Sequence, residues 1–231
     1  MVNASSNHAT VGLVIDISPN GHARVPRARL RMTGPRSEIV AAAAKTFARM
    51  GYSGARIDDV AAEMGATKGR VYHYYTSKVE ILADILTEGA YMLTDAVQPV
   101  LDEPGIDSAR RLERMAVRHT LVLLEQNDVQ VVTLHNINLV IGRSVTSDTT
   151  SFRHIAEVRR AYEQIWRTAI EAGVEEGALH AVDSDLATKA VLGALNWSTV
   201  WFRPNSTDTD ASRLQIAEAL AHHAIGGVLR R

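Results

Sequence analysis

Three short segments with apolar residues at helical spacing follow one another over residues 37–75, and that succession leaves little freedom in the fold. Ile39, Ala43, Phe47 and Met50 share one face and stop at Gly51. Recurrence every three to four residues marks a helix, and glycine commonly sits just past its end. Ile57, Val60, Ala61 and Met64 make a second, shorter stripe ended by Gly65. Asp58 and Asp59 stand in its first turn, where negative charge complements the helix dipole. Ser77-Lys78-Val79-Glu80 then has the form of a capping box and opens a helix through Ile81, Leu82, Ile85 and Leu86 toward Pro99.

The remainder reads the same way. Helices are expected at roughly 107–126, 128–141, 149–172, 184–202 and 209–229, punctuated by Gly173, Gly177 and Pro204. The stretch VQVVTLHNINLVI (129–141) is β-branched enough to pass for a strand, but no partner strand is evident elsewhere, so it is assigned to a helix. The expected fold class is all-α.

The 231 residues include no cysteine, so disulfides and thiolate chemistry are excluded and a reducing cytoplasm is expected. No apolar run reaches the roughly 18 residues of a membrane span, so no membrane partner is expected. Charge is unevenly shared. Residues 1–80 carry 11 Lys and Arg against 6 Asp and Glu, whereas residues 81–231 carry 14 against 20. A basic front with an acidic rear points the front toward a polyanion. Residues 1–35 lack helical periodicity, and residues 18–36 hold five arginines and no acid. They read either as a flexible basic arm or as a stretch lying before a natural start at Met32. As an arm, Arg24, Arg27, Arg29 and Arg31 would track phosphates or enter a minor groove.

The stretch GATKGRVYHYYTSK (65–78) concentrates the chemistry. On a helix, Val71 and Tyr75 fall together, one turn apart. Gly69, Arg70 and His73 fall on the opposite side, with Tyr74 at its edge. Two residues thus anchor a very short helix, and the face left outward is cationic and rich in donors. Gly69 removes a side chain from that face and lets another surface approach. Two helices joined by the tight turn Gly65-Ala66-Thr67 make a helix-turn-helix, whose second helix suits a major groove. Arg70 has the paired donors that read guanine, while Tyr72, Tyr74 and Lys78 suit phosphates.

Residues 44–82, AKTFARMGYSGARIDDVAAEMGATKGRVYHYYTSKVEIL, resemble the DNA-binding domain of the tetracycline-repressor (TetR) family. The likeness covers the first helix, the Gly51-Tyr52 turn, the Ile57, Val60, Ala61 run, the tyrosine-rich second helix and the following Ser-Lys. It implies DNA contacts from Thr67, Lys68, Gly69, Tyr72, His73, Tyr74 and Lys78. Where the family usually places Ser or Thr as an N-cap and phosphate contact, this chain has Arg56. A long cation still reaches a phosphate, but loss of the cap costs about 1 kcal/mol. The resulting expectation is an arm at 1–35, a helix-turn-helix domain at 36–82, and a helical ligand-binding and dimerisation domain at 83–231.

The resemblance implies a homodimer and an effector pocket in the rear helices, and the residues offer support for both. Leu186, Ala190, Ala194, Trp197 and Trp201 form one apolar face, which Val191, Leu195 and Phe202 widen past half the circumference. A helix apolar that far round needs cover on two sides. Leu214, Ala217, Leu220, Ala221, Ala224 and Val228 line a face of the last helix. Two such helices from each of two chains would build a four-helix interface, and a two-fold dimer implies a palindromic operator. Within 149–172 the apolar face holds Ile155, Val158, Tyr162, Ile165, Trp166 and Ala169, with Arg159 projecting among them. Arg159 would meet either an acidic ligand group or a carboxylate across the interface. His135, Asn138 and Asn196, like His119, are polar residues in apolar surroundings. ALNWSTVWFRP (194–204), which includes Trp197, resembles a segment of TetR regulators that respond to acyl-CoA thioesters in fatty-acid or steroid breakdown. The pocket expected from these features comprises Arg159, Tyr162, Trp166, His135, Asn138, Asn196 and Trp197.

The leading expectation is therefore a ligand-controlled transcriptional regulator, a repressor that a small effector releases from double-stranded DNA. The alternative is a helix-turn-helix regulator controlled by a protein partner. An enzyme is disfavoured: no H-E-x-x-H, P-loop, G-x-S-x-G or dinucleotide fingerprint occurs. No catalytic residue, metal site or cofactor is expected.

Overall fold

The computed structural model describes residues 30–137 and 149–230, with side chains described outside 149–152. Helices account for its regular structure: α1 Pro35–Met50, α2 Ile57–Glu63, α3 Lys68–Tyr74, α4 Lys78–Leu101, α5 Ser108–Glu125 and α6 Asn127–His135, then α7 Thr149–Glu175, α8 Ser184–Asn196, α9 Ser198–Trp201 and α10 Asp210–Ile225. The β-branched segment is helical through His135. No described helix is long and apolar enough to cross a membrane.

The first three helices pack as their stripes require. Ile39, Ala43, Phe47, Val60, Ala61, Val71 and Tyr75 are buried, while Met50, the last of its stripe, is exposed. Gly51 and Gly65 turn the chain with φ of 76° and 61°, the left-handed region that only glycine enters freely. At α2 the Arg56 side chain has no acceptor to offer as a cap, but half of the capping arrangement survives. The Arg56 backbone N–H donates to the Asp59 carboxylate at 2.7 Å. At α4 the Glu80 backbone N–H donates to Ser77 Oγ at 3.2 Å, and the Glu80 carboxylate accepts from the Thr76 backbone N–H at 2.8 Å.

α4 runs without a break from the end of the helix-turn-helix into the rear bundle, across the expected boundary at residue 82. Ile81, Leu82, Ile85 and Leu86 are fully buried, and one continuous core extends from Ile39 to Val228. α6 crosses α4 closely at Gly89, where an added Cβ would run into Thr133 Oγ1. Past α10 the chain turns back on the α7–α8 connection: His180 N–H donates to the Val228 carbonyl at 3.0 Å and Arg230 N–H to that of Ala178 at 3.1 Å.

Residues 30–32 differ from the expectation of a free arm. The Arg31 guanidinium stacks 3.9 Å over the Tyr91 ring and pairs with Asp95. The Arg31 backbone N–H donates to the buried carboxylate of Glu88. Asp95 lies about 25 Å along α4 from its start, so Arg31 sits far from the recognition helix and its charge is already matched. Arg24, Arg27 and Arg29 lie outside the described residues.

Candidate nucleic-acid interface and effector cavity

α3 is too short to persist alone, and its neighbours fix it at both ends. Val71 and Tyr75 plug into the core. The Tyr75 hydroxyl donates to Asp84 Oδ2 at 2.7 Å, and the same carboxylate accepts from Arg36 at 2.8 Å. The Arg36 guanidinium also lies 4.3 Å from the Tyr75 ring centroid. Burial and the Asp84 carboxylate push the Tyr75 phenol well above its ordinary pKa, so it stays a donor. Lys78 Nζ donates to the carbonyls of Tyr52 at 2.7 Å and Ala55 at 2.8 Å, which ties the start of α4 to the turn after α1. The end of the recognition helix is therefore bonded to α4 as well as packed against it. Arg36 and Asp84 escape sequence reading because their partner, Tyr75, is far away in the chain or on another helix.

The face opposite these anchors carries most of the expected contacts. Thr67, Lys68, Gly69, Arg70, Tyr72 and His73 are exposed, as is Arg56 at the head of α2, and Tyr74 is half-buried. Lys68 pairs with Asp58 at 3.0 Å and Arg70 with Glu38 at 2.6 Å. The hydrogen bond to Asp58 raises the Lys68 pKa. Both pairs face solvent, where such contacts are worth little and exchange readily. A Cβ added at Gly69 would meet nothing nearer than Thr67 Oγ1 at 3.8 Å. Nothing inside the chain demands a glycine there, so the missing side chain matters only to a surface arriving from outside. Lys78 is the least free member of the set, since two of its three donors are spent on carbonyls.

Behind this unit, residues of α4, α5, α6, α7 and α8 line a cavity of about 70 Å³. Leu86, Ala90 and Leu93 of α4 and Ile155 of α7 give it apolar walls. His119, wholly buried, stands in a hydrogen-bonded series across one side. Tyr162 Oη lies 2.7 Å from His119 Nδ1, and His119 Nε2 lies 3.0 Å from Asn196 Oδ1. Because the amide oxygen only accepts, Nε2 carries the proton and Nδ1 accepts from the Tyr162 hydroxyl. Burial drives the His119 pKa down to about 4 and raises that of Tyr162, so both stay neutral near pH 7.

Of the expected pocket residues, Arg159, Tyr162 and Asn196 line the cavity. Arg159 pairs with Glu163 at 2.9 Å, one turn along its own helix, and not with the carboxylate across an interface that the sequence suggested. Trp166 is fully buried behind the wall, edge-on to His119 at 5.7 Å. Trp197 points outward and His135 is exposed, and neither lines the cavity; Asn138 lies outside the described residues. Gln130 and Glu163 line the cavity unannounced. The available signal for Gln130 was a lone amide within the valine run 129–132.

α8 and α9 leave an apolar face bare. Leu186 is 66% exposed, Trp197 63% and Trp201 47%, with Ala190, Gly193 and Ala194 exposed between them. The expected face of α10 behaves differently. Ala217, Ala221 and Val228 are buried within the chain, where α10 packs against α5, and Leu214, Leu220 and Ala224 are half-buried.

Comparison with known proteins agrees with this architecture. The family model described as tetracyclin repressor-like, C-terminal domain, matches residues 105–228, and that of bacterial regulatory proteins, tetR family, matches 39–85. The HTH-type transcriptional repressor SCO4008 of Streptomyces coelicolor is 40% identical over 168 residues, which span 71% of this chain and 78% of that protein. The HTH-type transcriptional repressor KstR2 of Rhodococcus jostii is 24% identical over 186 residues, 77% of this chain and 84% of the relative. Among solved structures, AibR in complex with isovaleryl coenzyme A and operator DNA shares the fold, with a TM-score of 0.64 at 21% identity, covering 82% of this chain and 97% of AibR. A helix-turn-helix welded to a long fourth helix, with a helical bundle behind it, places this chain in the TetR family of bacterial transcriptional regulators.

Proposed function

We propose that the protein is a repressor that binds a palindromic operator as a homodimer and leaves it when an acyl-CoA thioester enters the rear bundle. In this reading residues 36–82 form the DNA-binding domain and residues 83–231 the effector and dimerisation domain. Arg70 reads a base edge; Arg56, Thr67, Lys68, Tyr72, His73, Tyr74 and Lys78 hold phosphates or flank the contact; and Gly69 lets the duplex close in. The bare face of α8 and α9 meets its copy in the partner.

The observation that carries the reading is the double attachment of α4. Its first turns are bonded to the end of the recognition helix through Asp84 and to the turn after α1 through Lys78, and its middle turns, Leu86, Ala90 and Leu93, are cavity wall. A cavity of about 70 Å³ is smaller than an acyl chain, and on this reading a bound chain displaces its walls. Displacing α4 re-aims the recognition helix and changes the separation of the two helices in a dimer. The effector acts only by as much as it prefers the displaced form. The thioester class is supported by the isovaleryl coenzyme A bound to AibR and by the apolar character of the cavity wall.

The test begins with selection of bound sequences from random duplex DNA by the purified full-length chain. A palindromic site should emerge, with binding that weakens steeply as salt rises. Decanoyl-CoA at micromolar concentration should then release that site and raise the melting temperature of the protein. Enrichment of no palindrome would remove the dimeric-repressor reading. Release by no thioester would remove the effector class alone.

A further inference from the structure

We propose that the buried part of the effector carries a hydroxyl group, and that Gln130 selects it by accepting its hydrogen bond. The inference rests on the reading that this cavity takes the effector's apolar end. Gln130 comes from α6, is wholly buried and lines the cavity. Its Nε2 donates to the Gly89 carbonyl of α4 at 3.0 Å, which fixes the orientation of the amide. Among the described residues, Oε1 is left as a buried acceptor with no partner.

The other polar side chains of the wall are engaged. Tyr162, His119 and Asn196 bond in series, Thr133 Oγ1 donates to the Val129 carbonyl at 2.7 Å, and Arg159 and Glu163 hold each other. A leucine or methionine at position 130 would fill similar space without burying an unpaired oxygen. The grip on Gly89 does not account for the amide, because a carbonyl in mid-helix already accepts from the residue four further on. The open acceptor is the feature left for a ligand to use. A site built to bond a hydroxyl rejects the analogue that lacks one, because the acceptor then stays dry and unpaired. The cavity has room for about two waters, and a hydroxyl on an apolar frame replaces such a water while filling the space beside it.

Phenol and toluene, nearly equal in shape, test this on the full-length protein without reference to any thioester. Both are titrated by thermal shift and by NMR into the wild type, Gln130→Leu and, as a second variant with a more adaptable side chain, Gln130→Met. The ratio of phenol to toluene affinity should fall by about tenfold in the variants, the equivalent of one hydrogen bond. An unchanged ratio overturns the proposal even where both affinities drop, since a glutamine that merely supports the wall would weaken both alike. Failure of the wild type to bind phenol at millimolar concentration overturns it too.

DNA release then separates the two readings and the two sources of hydroxyl. Decanoyl-CoA is compared with 3-hydroxydecanoyl-CoA, a chain alcohol, and with 4-hydroxycyclohexanecarboxyl-CoA, a ring alcohol. A tenfold advantage for either alcohol, lost in Gln130→Leu, supports the proposal and identifies the frame. Equal release by all three sinks the role of Gln130 and leaves the thioester reading standing. A phenol preference with no response to any thioester does the reverse.

Discussion

The outward face of α3 and the interior of the rear bundle handle polar groups in opposite ways. At α3 the charges are paired loosely and in water: Lys68 with Asp58, Arg70 with Glu38. In the bundle, the buried Tyr162 and His119 bond in series with the half-buried Asn196. The first arrangement costs little to undo, so a phosphate or a base edge can replace the internal partner. The second is expensive to disturb and holds a shape. On the proposed function, recognition is placed where partners exchange easily, and one side of the cavity is held where they do not.

The largest expected effect bears on the sealed region. His119 has a pKa near 4 in the fold against about 6.5 when unfolded, so the unfolded chain takes up a proton first as pH falls. Stability from this group is complete above pH 6.5 and is lost as pH falls from 6.5 to 4, by about 3 kcal/mol. Urea unfolding across that range should show the slope in the wild type. His119→Gln, which cannot titrate, should be less stable at pH 7 and lack the histidine component of the slope. A slope identical in both would show that the histidine is reached by water and would erase the contrast.

Arg70→Ala should weaken operator binding by about 1–3 kcal/mol and relax the preference at one base position. Chemical denaturation should show stability within about 0.5 kcal/mol of wild type, because the Glu38 pair is exposed. A large loss of stability would mean that the outer pairs hold structure after all. Gly69→Ala sharpens the same point in one substitution. Alanine should stabilise the chain by about 0.5–1 kcal/mol through helix propensity, with no clash inside it. Operator affinity should nevertheless fall, as read by fluorescence anisotropy. The smallest effect belongs to Glu38→Gln. Releasing Arg70 from its internal partner should strengthen operator binding by a few tenths of a kcal/mol at low salt, fading as salt rises.

The sequence was most legible where a residue's role depends on its own neighbours along the helix. Spacing alone placed Val71 and Tyr75 inward and Arg70 and His73 outward, as found. It left the cover of α10 open, because an alanine stripe fits equally well against a helix of the same chain or of another. Periodicity says that a face is covered, not by what. Trp166 and Trp197 were grouped together, yet one is sealed and the other bare. Their separation depends on how α7 and α8 lie relative to each other, which local pattern does not encode. Arg36, Asp84 and Gln130 were missed for the same reason: each has its partner on a different helix.

The backbone closure between the α7–α8 connection and the residues after α10 has a topological consequence. The two bonds at His180 and Arg230 shut α7, α8 and α10 into a ring, stitched at both ends of the same turn. A stitched ring resists splaying along that seam. Movement of α7 relative to the end of α10 would have to break those two backbone bonds.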